Sequence, residues 1–366
     1  MRVALDARLL AYQRAGIGNY VLGLLGGLRE IGQEDRLVVL TSRKHDAADP
    51  ALAGLRHRAL LTPPHHRWEQ LGLAIELARL AVDLYHQPDF IPPLRRRFPA
   101  VITVHDLAFL RLPGLLTSDS RRYYERIGLA VGSADRTIAV SERTRRDLIE
   151  LVGAPRERVD VVYEAARPDF RPQPAERVEA ARRALGLRDE YFLFVGTREP
   201  RKNLARLLAA YARVAEARDA PDLVIAGSRG WLADDLTARV GSLGIADRVR
   251  WLVGVAPAEL PALYAGAVAL VLPSLYEGFG LPVLEAMACG TPVVCSDAGA
   301  LPEVAGGAAC LFDPTDVDAI ADALRRVWRE PVLHQELRAR GRDRAAAFSW
   351  RRAAEETLDV YRRAVG

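Results

Sequence analysis

Apolar runs of strand length alternate with stretches of helical periodicity along almost the whole chain. "RVALDARLL" opens as a short apolar strand. In the following "AYQRAGIGNYVLGLLGGLREIG", Tyr20, Val21, Leu24, Leu25 and Leu28 share one helical face. Gly16 and Gly18 come ahead of that face and read as a glycine loop between strand and helix. Further strands read at "RLVVLTS", "VDLYHQ", "AVITVHDL", "RTIAVS" and "VDVVYEA", with helical stretches such as "RWEQLGLAIELARL" and "SERTRRDLIELVG" between several of them. This order predicts a doubly wound α/β domain, its sheet mainly parallel and covered by helices on both faces.

The pattern breaks at "ARPDFRPQPAERVEA", where Pro168, Pro172 and Pro174 mark a linker. It restarts with "YFLFVGT", a helix from Asn203, "PDLVIAG", a helix around Leu232–Leu243, and "VRWLVG". A helix in "APAELPALYAGA", the strands "VALVLPS", "TPVVCSD" and "AACLFD", and terminal helices complete it. Two similar α/β domains are therefore expected, at 1–172 and 173–347, with a cleft between them. A last helix, over about 348–366, is placed to pack back onto the first domain. In such sheets ligands collect at the carboxyl ends of the strands.

A length of 366 residues, beyond what one hydrophobic core usually supports, agrees with two domains. No apolar run approaches the roughly 20 residues that span a bilayer. "MRVALDARLL" reaches Asp6 and Arg8 too early for a secretory leader. The cysteines are Cys289, Cys295 and Cys310, without a Cys-x-x-Cys pair, which fits a reducing compartment and argues against a disulfide framework or a zinc site. A cytoplasmic location is expected. The net charge of +4 is uneven, with 26 Lys+Arg against 21 Asp+Glu in residues 1–175 and 25 against 26 in the remainder. Without a binding motif, that excess does not support nucleic-acid binding. It suits an anionic small ligand, peripheral contact with an anionic membrane face, or simply an arginine-rich surface. Lys44 and Lys202 are the only lysines, so the lysine in "EPRKN" draws notice.

Three constellations carry chemistry. In "EGFGLPVLEAMACGTP", Glu277 falls in the loop after a buried strand, and Gly278 and Gly280 allow close backbone approach to a ligand. Pro282 suits a first helical turn, and Glu285 follows within that helix. A glycine-led helix start favours phosphate oxygens. The plainer reading makes Glu277 a solvated loop acid and Glu285 a balance for the helix dipole. In "FVGTREPRKN", Arg198, Arg201 and Lys202 gather beyond another strand end, with Asn203 as a helix N-cap. Such cations suit a diphosphate, although a solvated basic loop with Glu199 paired to an arginine also accounts for them. In "TVHDL", His105 and Asp106 stand at a third strand end, in either a structural or a site role. "RAGIGNY" lacks the third glycine of a dinucleotide fingerprint. No Gly-x-Ser-x-Gly elbow, Walker sequence, His-Glu-x-x-His or Asp-x-Asp pair is present. Chemistry by electrostatics and positioning is expected, without a metal or other cofactor.

Taken together, "EGFGLPVLEAMACGTPVV", "VGTREPRKN", "LVIAG" and "ELPALYAGA", with "GIGNY" and "HDL" more loosely, resemble the retaining glycosyltransferases of the GT-B fold, family 4. The resemblance implies two Rossmann-like domains, with a nucleotide sugar held mainly by the C-terminal one and the acceptor by the N-terminal one. It puts Glu285 on the ribose hydroxyls and Glu277 near the hydroxyls of the donor sugar. Backbone N–H groups of Phe279, Gly280 and Leu281, after Gly278, would meet the sugar and phosphates. Arg201 and Lys202 would bind the diphosphate, Gly16 and Gly18 would lie close to the donor, and His105 would stand near the reacting sugar. The base would rest against Leu252 to Gly254, including Val253, with Thr197, Arg198 and Gly227 also on the donor side. Many members carry Gly-Arg after the first strand of the C-terminal domain. Here Thr197 follows Gly196, so either Arg198 or Arg201 takes that arginine's part.

The wording of "GT-x-EPRKN" and "LVIAG-x-x-GW" resembles mannosyltransferases of polysaccharide or lipopolysaccharide assembly. It implies GDP-mannose as donor and a glycan or lipid-linked glycan as acceptor, with the anomeric configuration retained. A UDP- or ADP-glucose-dependent glucosyltransferase is the nearest alternative. A non-catalytic nucleotide-sugar-binding subunit and a phosphate-binding dehydrogenase are the alternatives from other classes.

Overall fold

The computed structural model describes residues 1–11, 16–45, 49–66, 68–115, 126–228 and 233–366. The chain forms two units, one of Met1–Ala165 with Phe348–Gly366, the other of Ala166–Ala347. Arg14, Ala15, Arg67, Gly230, Trp231 and Leu232, which belong to stretches quoted above, lie outside the described residues.

In the first unit the described strands are β1 (Val3–Asp6), β2 (Leu37–Ser42), β3 (His57–Leu60), β4 (Leu84–Gln87), β5 (Ala100–Val104), β6 (Arg136–Ala139) and β7 (Val159–Val161). They pair in the order β3-β2-β1-β4-β5-β6-β7, every neighbouring pair parallel. Every residue of β1, β4 and β5 is buried, as expected of central parallel strands covered on both faces. The edge strand β3 is mostly exposed, and its "HRAL" lacks the apolar run that marks the others.

The first helix spans Gly16–Glu30, so Gly16 and Gly18 lie in its first turn and not in a loop before it. Tyr20, Val21, Leu24, Leu25 and Leu28 are buried and anchor the helix. Carrying it back through glycine costs only about 0.5–1 kcal/mol per residue. The helix "SERTRRDLIELVG" forms at Glu142–Val152, capped by the Ser141 side chain and closed by left-handed Gly153.

The second unit contains β8 (Tyr191–Val195), β9 (Asp222–Ala226), β10 (Val249–Leu252), β11 (Ala269–Leu272), β12 (Val293–Ser296) and β13 (Cys310–Phe312). Their order is β10-β9-β8-β11-β12-β13, again all parallel. The boundary at Ala165 lies ahead of the expected 172 for a packing reason. Val162 and Ala165 belong to the first core. By contrast, Phe170 packs edge-on to Tyr264 at 5.6 Å and Arg167 donates to the Pro257 carbonyl at 3.4 Å. The prolines of the expected linker therefore already belong to the second unit. All three cysteines are free and buried.

The C-terminal helix, Trp350–Val365, packs on the first helix, and Trp350, Ala353, Ala354, Val360 and Tyr361 join the core of the first unit. Gly23 and Gly27 make room for it. A Cβ on Gly23 would stand 2.0 Å from the Trp350 ring, and one on Gly27 would stand 2.0 Å from the Trp350 carbonyl oxygen. A carbonyl cannot swing aside as a side chain can. Gly27→Ala is therefore expected to destabilise the first unit by about 1–3 kcal/mol through overpacking. Gly26→Ala, with nothing within 4 Å of the added carbon, is expected to stabilise it by about 1 kcal/mol through helix propensity. Chemical denaturation of both variants checks the pair, and equal stability of Gly27→Ala and wild type would contradict this close packing.

Candidate active site

In the second sheet the strand order reverses between β8 and β11, so the loops leaving those two strands emerge side by side. The first carries Gly196 to Asn203, with a tight turn at Pro200–Lys202, and the second carries Pro273 to Gly280. They are stitched together. Leu275 N–H donates to the Arg201 carbonyl at 2.9 Å. The Asn203 amide donates to the carbonyls of Pro273 at 3.0 Å and Pro314 at 2.7 Å. Asn203 is thus a tether and makes no side-chain cap, its left-handed backbone having turned the amide toward these carbonyls.

Between the loops sits Glu277, 6% exposed, in the grip of two cations. Lys202 Nζ donates to Oε1 at 2.6 Å and an Arg201 guanidinium nitrogen donates to Oε2 at 2.7 Å. Ser274 Oγ adds a third bond, to Oε1, at 2.6 Å. Burial by itself would raise this carboxyl, but Lys202 and Arg201 outweigh it and bring it down to about 2. The loop after β12 closes over the backbone: Ala300 N–H donates to the Glu277 carbonyl at 2.9 Å, and a Cβ on Gly299 would come 2.5 Å from that oxygen. Glu277 is therefore no solvated loop acid. Arg201 and Lys202 together exceed the charge of Glu277 by one, and Glu199 stands 3.7 Å from Arg201.

The Gly278-Phe279-Gly280 turn is buried. Gly280 has φ 103°, and a Cβ there would meet Leu301 at 2.5 Å, so this turn requires glycine. The helix Leu281–Cys289 begins at once, with Pro282 in its first turn. Glu285 faces inward from it and accepts from Tyr264 Oη at 2.7 Å. Burial pushes its carboxyl up to about 7, against the opposing effects of the Tyr264 bond and Arg167. The two acids of the motif thus lie in opposite electrostatic settings, one held by two cations and the other by a tyrosine hydroxyl.

Thr197 Oγ donates to Glu199 Oε1 at 2.6 Å. Arg198 is buried and stacks on Trp251 of β10, its guanidinium 4.3 Å from the ring centroid. Of the two arginines weighed from the sequence, Arg201 is the one that reaches Glu277, while Arg198 turns toward the β10 side. Gly227 ends β9 where a Cβ would lie 2.0 Å from the Gly196 carbonyl, which gives that glycine a packing reason. Its N–H donates to the Leu252 carbonyl at 2.9 Å. Val253 and Gly254 follow, both exposed, with Gly254 in a left-handed conformation.

His105, Gly16 and Gly18 belong to the first unit. His105 Nδ1 lies 2.9 Å from Glu164 Oε1, and Nε2 lies 3.0 Å from the Pro88 carbonyl. Gly16 is exposed with open space beside it, and Gly18 is buried. Beside the switch point of this sheet, Arg8 is fully buried and bonded to Asp6 and Glu69, and Tyr85 Oη donates to Asp6 at 2.6 Å.

Tyr264, Gly299 and Glu164 do not emerge from the sequence, because each acts on a site residue from a distant segment, and Ser274, three residues before Glu277, is also missed. Ser274 alone carried a local signal, as the polar residue ending "VALVLPS".

Against known proteins, the family described as "Glycosyl transferases group 1" matches residues 177–344, and that described as "Glycosyltransferase Family 4" matches 14–170. O-antigen chain mannosyltransferase B of Escherichia coli is 34% identical over 381 residues, covering 99% of this chain and 100% of that one. The MMP alpha-(1->4)-mannosyltransferase of Mycolicibacterium hassiacum is 43% identical over 171 residues, covering 45% of this chain and 41% of its own. Among solved structures, sucrose-phosphate synthase from Thermosynechococcus elongatus superposes with a TM-score of 0.81 at 23% identity, over 99% of this chain and 98% of that one. The chain belongs to the family 4 glycosyltransferases, and its two Rossmann-like units are those of the GT-B fold. Among the described residues, no helix is long and apolar enough to cross a membrane.

The setting of Glu285 has a consequence for stability. Its folded carboxyl keeps a proton up to about 7, whereas the unfolded one ionises near 4.5. Over that window the folded state binds the extra proton, so stability of the second unit falls as pH rises. Glu285→Gln removes this dependence. Its melting temperature is expected to match wild type at pH 4 and exceed it at pH 8. A variant less stable than wild type at pH 8 would mean that the acid is ionised and paired.

Proposed function

We propose that this glycosyltransferase moves a mannosyl group from GDP-mannose to a glycan or lipid-linked glycan acceptor in cell-surface polysaccharide synthesis, with retention and without a metal. The observation that carries this reading is the Arg201–Lys202–Glu277 cluster at the switch point of the second sheet, beside a glycine-led helix. The near-full-length similarity to an O-antigen mannosyltransferase supports mannose and a polysaccharide setting.

In this reading the second unit holds the donor. Arg201 and Lys202 bind the diphosphate together with the backbone of Gly278, Phe279, Gly280 and Leu281 at the helix start. Glu277 orients these cations and meets the donor sugar's hydroxyls. Glu285 accepts from the ribose, and the base lies along Val253 and Gly254, with Thr197, Arg198 and Gly227 lining the donor side. The first unit binds the acceptor, with His105, Gly16 and Gly18 near the reacting sugar. As the bond from the anomeric carbon to the diphosphate oxygen breaks, the acceptor oxygen bonds to that carbon from the same face. The acceptor proton passes to the departing phosphate oxygen. Negative charge grows on the leaving group, where two fixed cations stabilise it without reorganisation.

Lys202→Ala is expected to lower the transfer rate on the order of 100-fold or more. It is expected to stay folded, because Arg201 and Ser274 still bond Glu277. Near-wild-type turnover in a folded variant would refute the cluster's role. Thermal-shift titration with GDP, UDP and ADP reads the donor base. Stabilisation by GDP above the other two is expected, and a preference for UDP or ADP would replace mannose with the glucosyl reading. Glu285→Ala is expected to weaken nucleotide binding by calorimetry, and an unchanged Kd would remove Glu285 from the ribose.

A further inference from the structure

The environment of His105 raises a question of charge that the glycosyl-transfer reading leaves open. His105 follows β5, and its two ring nitrogens both face oxygen acceptors. Nε2 lies 3.0 Å from the Pro88 carbonyl, which has no hydrogen to give, so Nε2 must carry the proton of that bond. Nδ1 lies 2.9 Å from Glu164 Oε1. Either Nδ1–H donates to a carboxylate, making the ring an imidazolium, or a neutral carboxylic acid donates to a bare Nδ1. An ordinary histidine holds its proton about two pH units more tightly than an ordinary glutamate, so the shared proton belongs on the ring. Asp89 lies close enough to add to the negative potential, and the second acceptor on Nε2 favours the cation again.

We infer that Glu164 is a positioning residue that holds His105 as an imidazolium, a fixed cation at the end of β5. A ring with both nitrogens protonated cannot accept the acceptor's proton. His105 then acts through its charge, both N–H groups being committed to Glu164 and Pro88.

The surroundings are built to hold this state. Glu164 is buried, and the Tyr20 ring stands edge-on to His105 at 4.9 Å. Tyr20 Oη lies 3.0 Å from Thr103 Oγ, which lies 2.8 Å from His86 Nε2, while His86 Nδ1 lies 2.6 Å from Tyr361 Oη of the C-terminal helix. This polar chain fixes the ring against which His105 rests. The groups facing His105 are Glu164 after β7, Asp89 and the Pro88 carbonyl after β4, His86 of β4, and Tyr20 of the first helix. The two histidines are driven apart. Burial lowers His86 to about 3, with the nearby His105 adding to the effect, whereas Glu164 and Asp89 lift His105 above its ordinary value despite burial. Such divergence of neighbouring titratable groups separates a neutral partner from a charged one.

The charge state rests on the two hydrogen-bond partners and on the ordinary acidities of histidine and glutamate, while its catalytic use rests on the function proposed above. The test reads the two separately. In full-length protein labelled with ¹⁵N at histidine, the His105 signals are assigned by their loss in His105→Asn and followed through a pH titration. Wild type is expected to show both His105 nitrogens protonated at pH 7, with a midpoint above the ordinary 6.5. Glu164→Gln is expected to lower that midpoint by roughly 1–3 pH units. A wild-type His105 that is neutral at pH 7, or a midpoint unmoved in Glu164→Gln, overturns the inference. The wild-type titration needs no variant, so it decides the charge state even if Glu164→Gln fails to fold. For catalysis, Glu164→Gln is expected to lose on the order of tenfold in kcat at pH values between the wild-type and variant His105 midpoints, with donor KM little changed, and to recover as the pH falls through the variant's own midpoint. An active enzyme whose kcat between those two midpoints ignores the substitution overturns the catalytic role. A wild type that transfers no glycosyl group, yet titrates as expected, refutes the proposed function and supports the imidazolium.

Discussion

A carboxylate taken out of water costs several kcal/mol unless opposite charge and hydrogen bonds replace its hydration. Glu277 meets that requirement at the meeting point of two strand ends, and much of the second unit's loop structure follows from it. Lys202 and Arg201 must reach it from the β8 loop, so the turn at Pro200–Lys202 has a defined place. Asn203 must hold that turn to Pro273 and Pro314, and Ser274 must end β11 with a hydroxyl. Gly299 must be a glycine for the β12 loop to close over Glu277. Removing the acid from this arrangement would leave two cations facing each other.

Glu285, eight residues later in the same motif, solves its burial the other way. Burial outweighs its Tyr264 hydroxyl and the pull of Arg167, so it keeps its proton to about 7. Two glutamates in one short segment therefore differ in charge near neutrality because their partners differ. Spacing along the chain says nothing about this. The contrast between His86 and His105 in the first unit repeats the principle with the opposite sign, since burial discharges a histidine as readily as it protonates an acid.

What could be read from sequence divides along the same line. Buried parallel strands announce themselves through apolar runs, so β1, β2, β4 and β5 and the strands of the second unit stand out. β3 does not, because an exposed edge strand needs no apolar run. Glu277, Arg201, Lys202 and Glu285 were legible through local chemistry at strand ends. The residues that set their charge were not, because Tyr264 is 21 positions from Glu285 and Glu164 is 59 from His105. The linker reads several residues late because prolines signal irregular backbone without saying which core owns it. Gly16 and Gly18 looked like a loop because glycine is a weak helix former, yet an anchored apolar face carries the helix back through them.

The C-terminal helix gives the molecule an unusual order of assembly. The core of the first unit includes Trp350, Ala354, Val360 and Tyr361, all of which lie beyond the whole second unit in sequence. The second unit is in effect an insertion within the first. Domains emerging from the ribosome generally fold in order from the N-terminus. Here the second unit has all of its residues before the first does, and the first must wait with part of its apolar face open. A chain cut short anywhere before Trp350 would leave the groove formed by Gly23 and Gly27 uncovered.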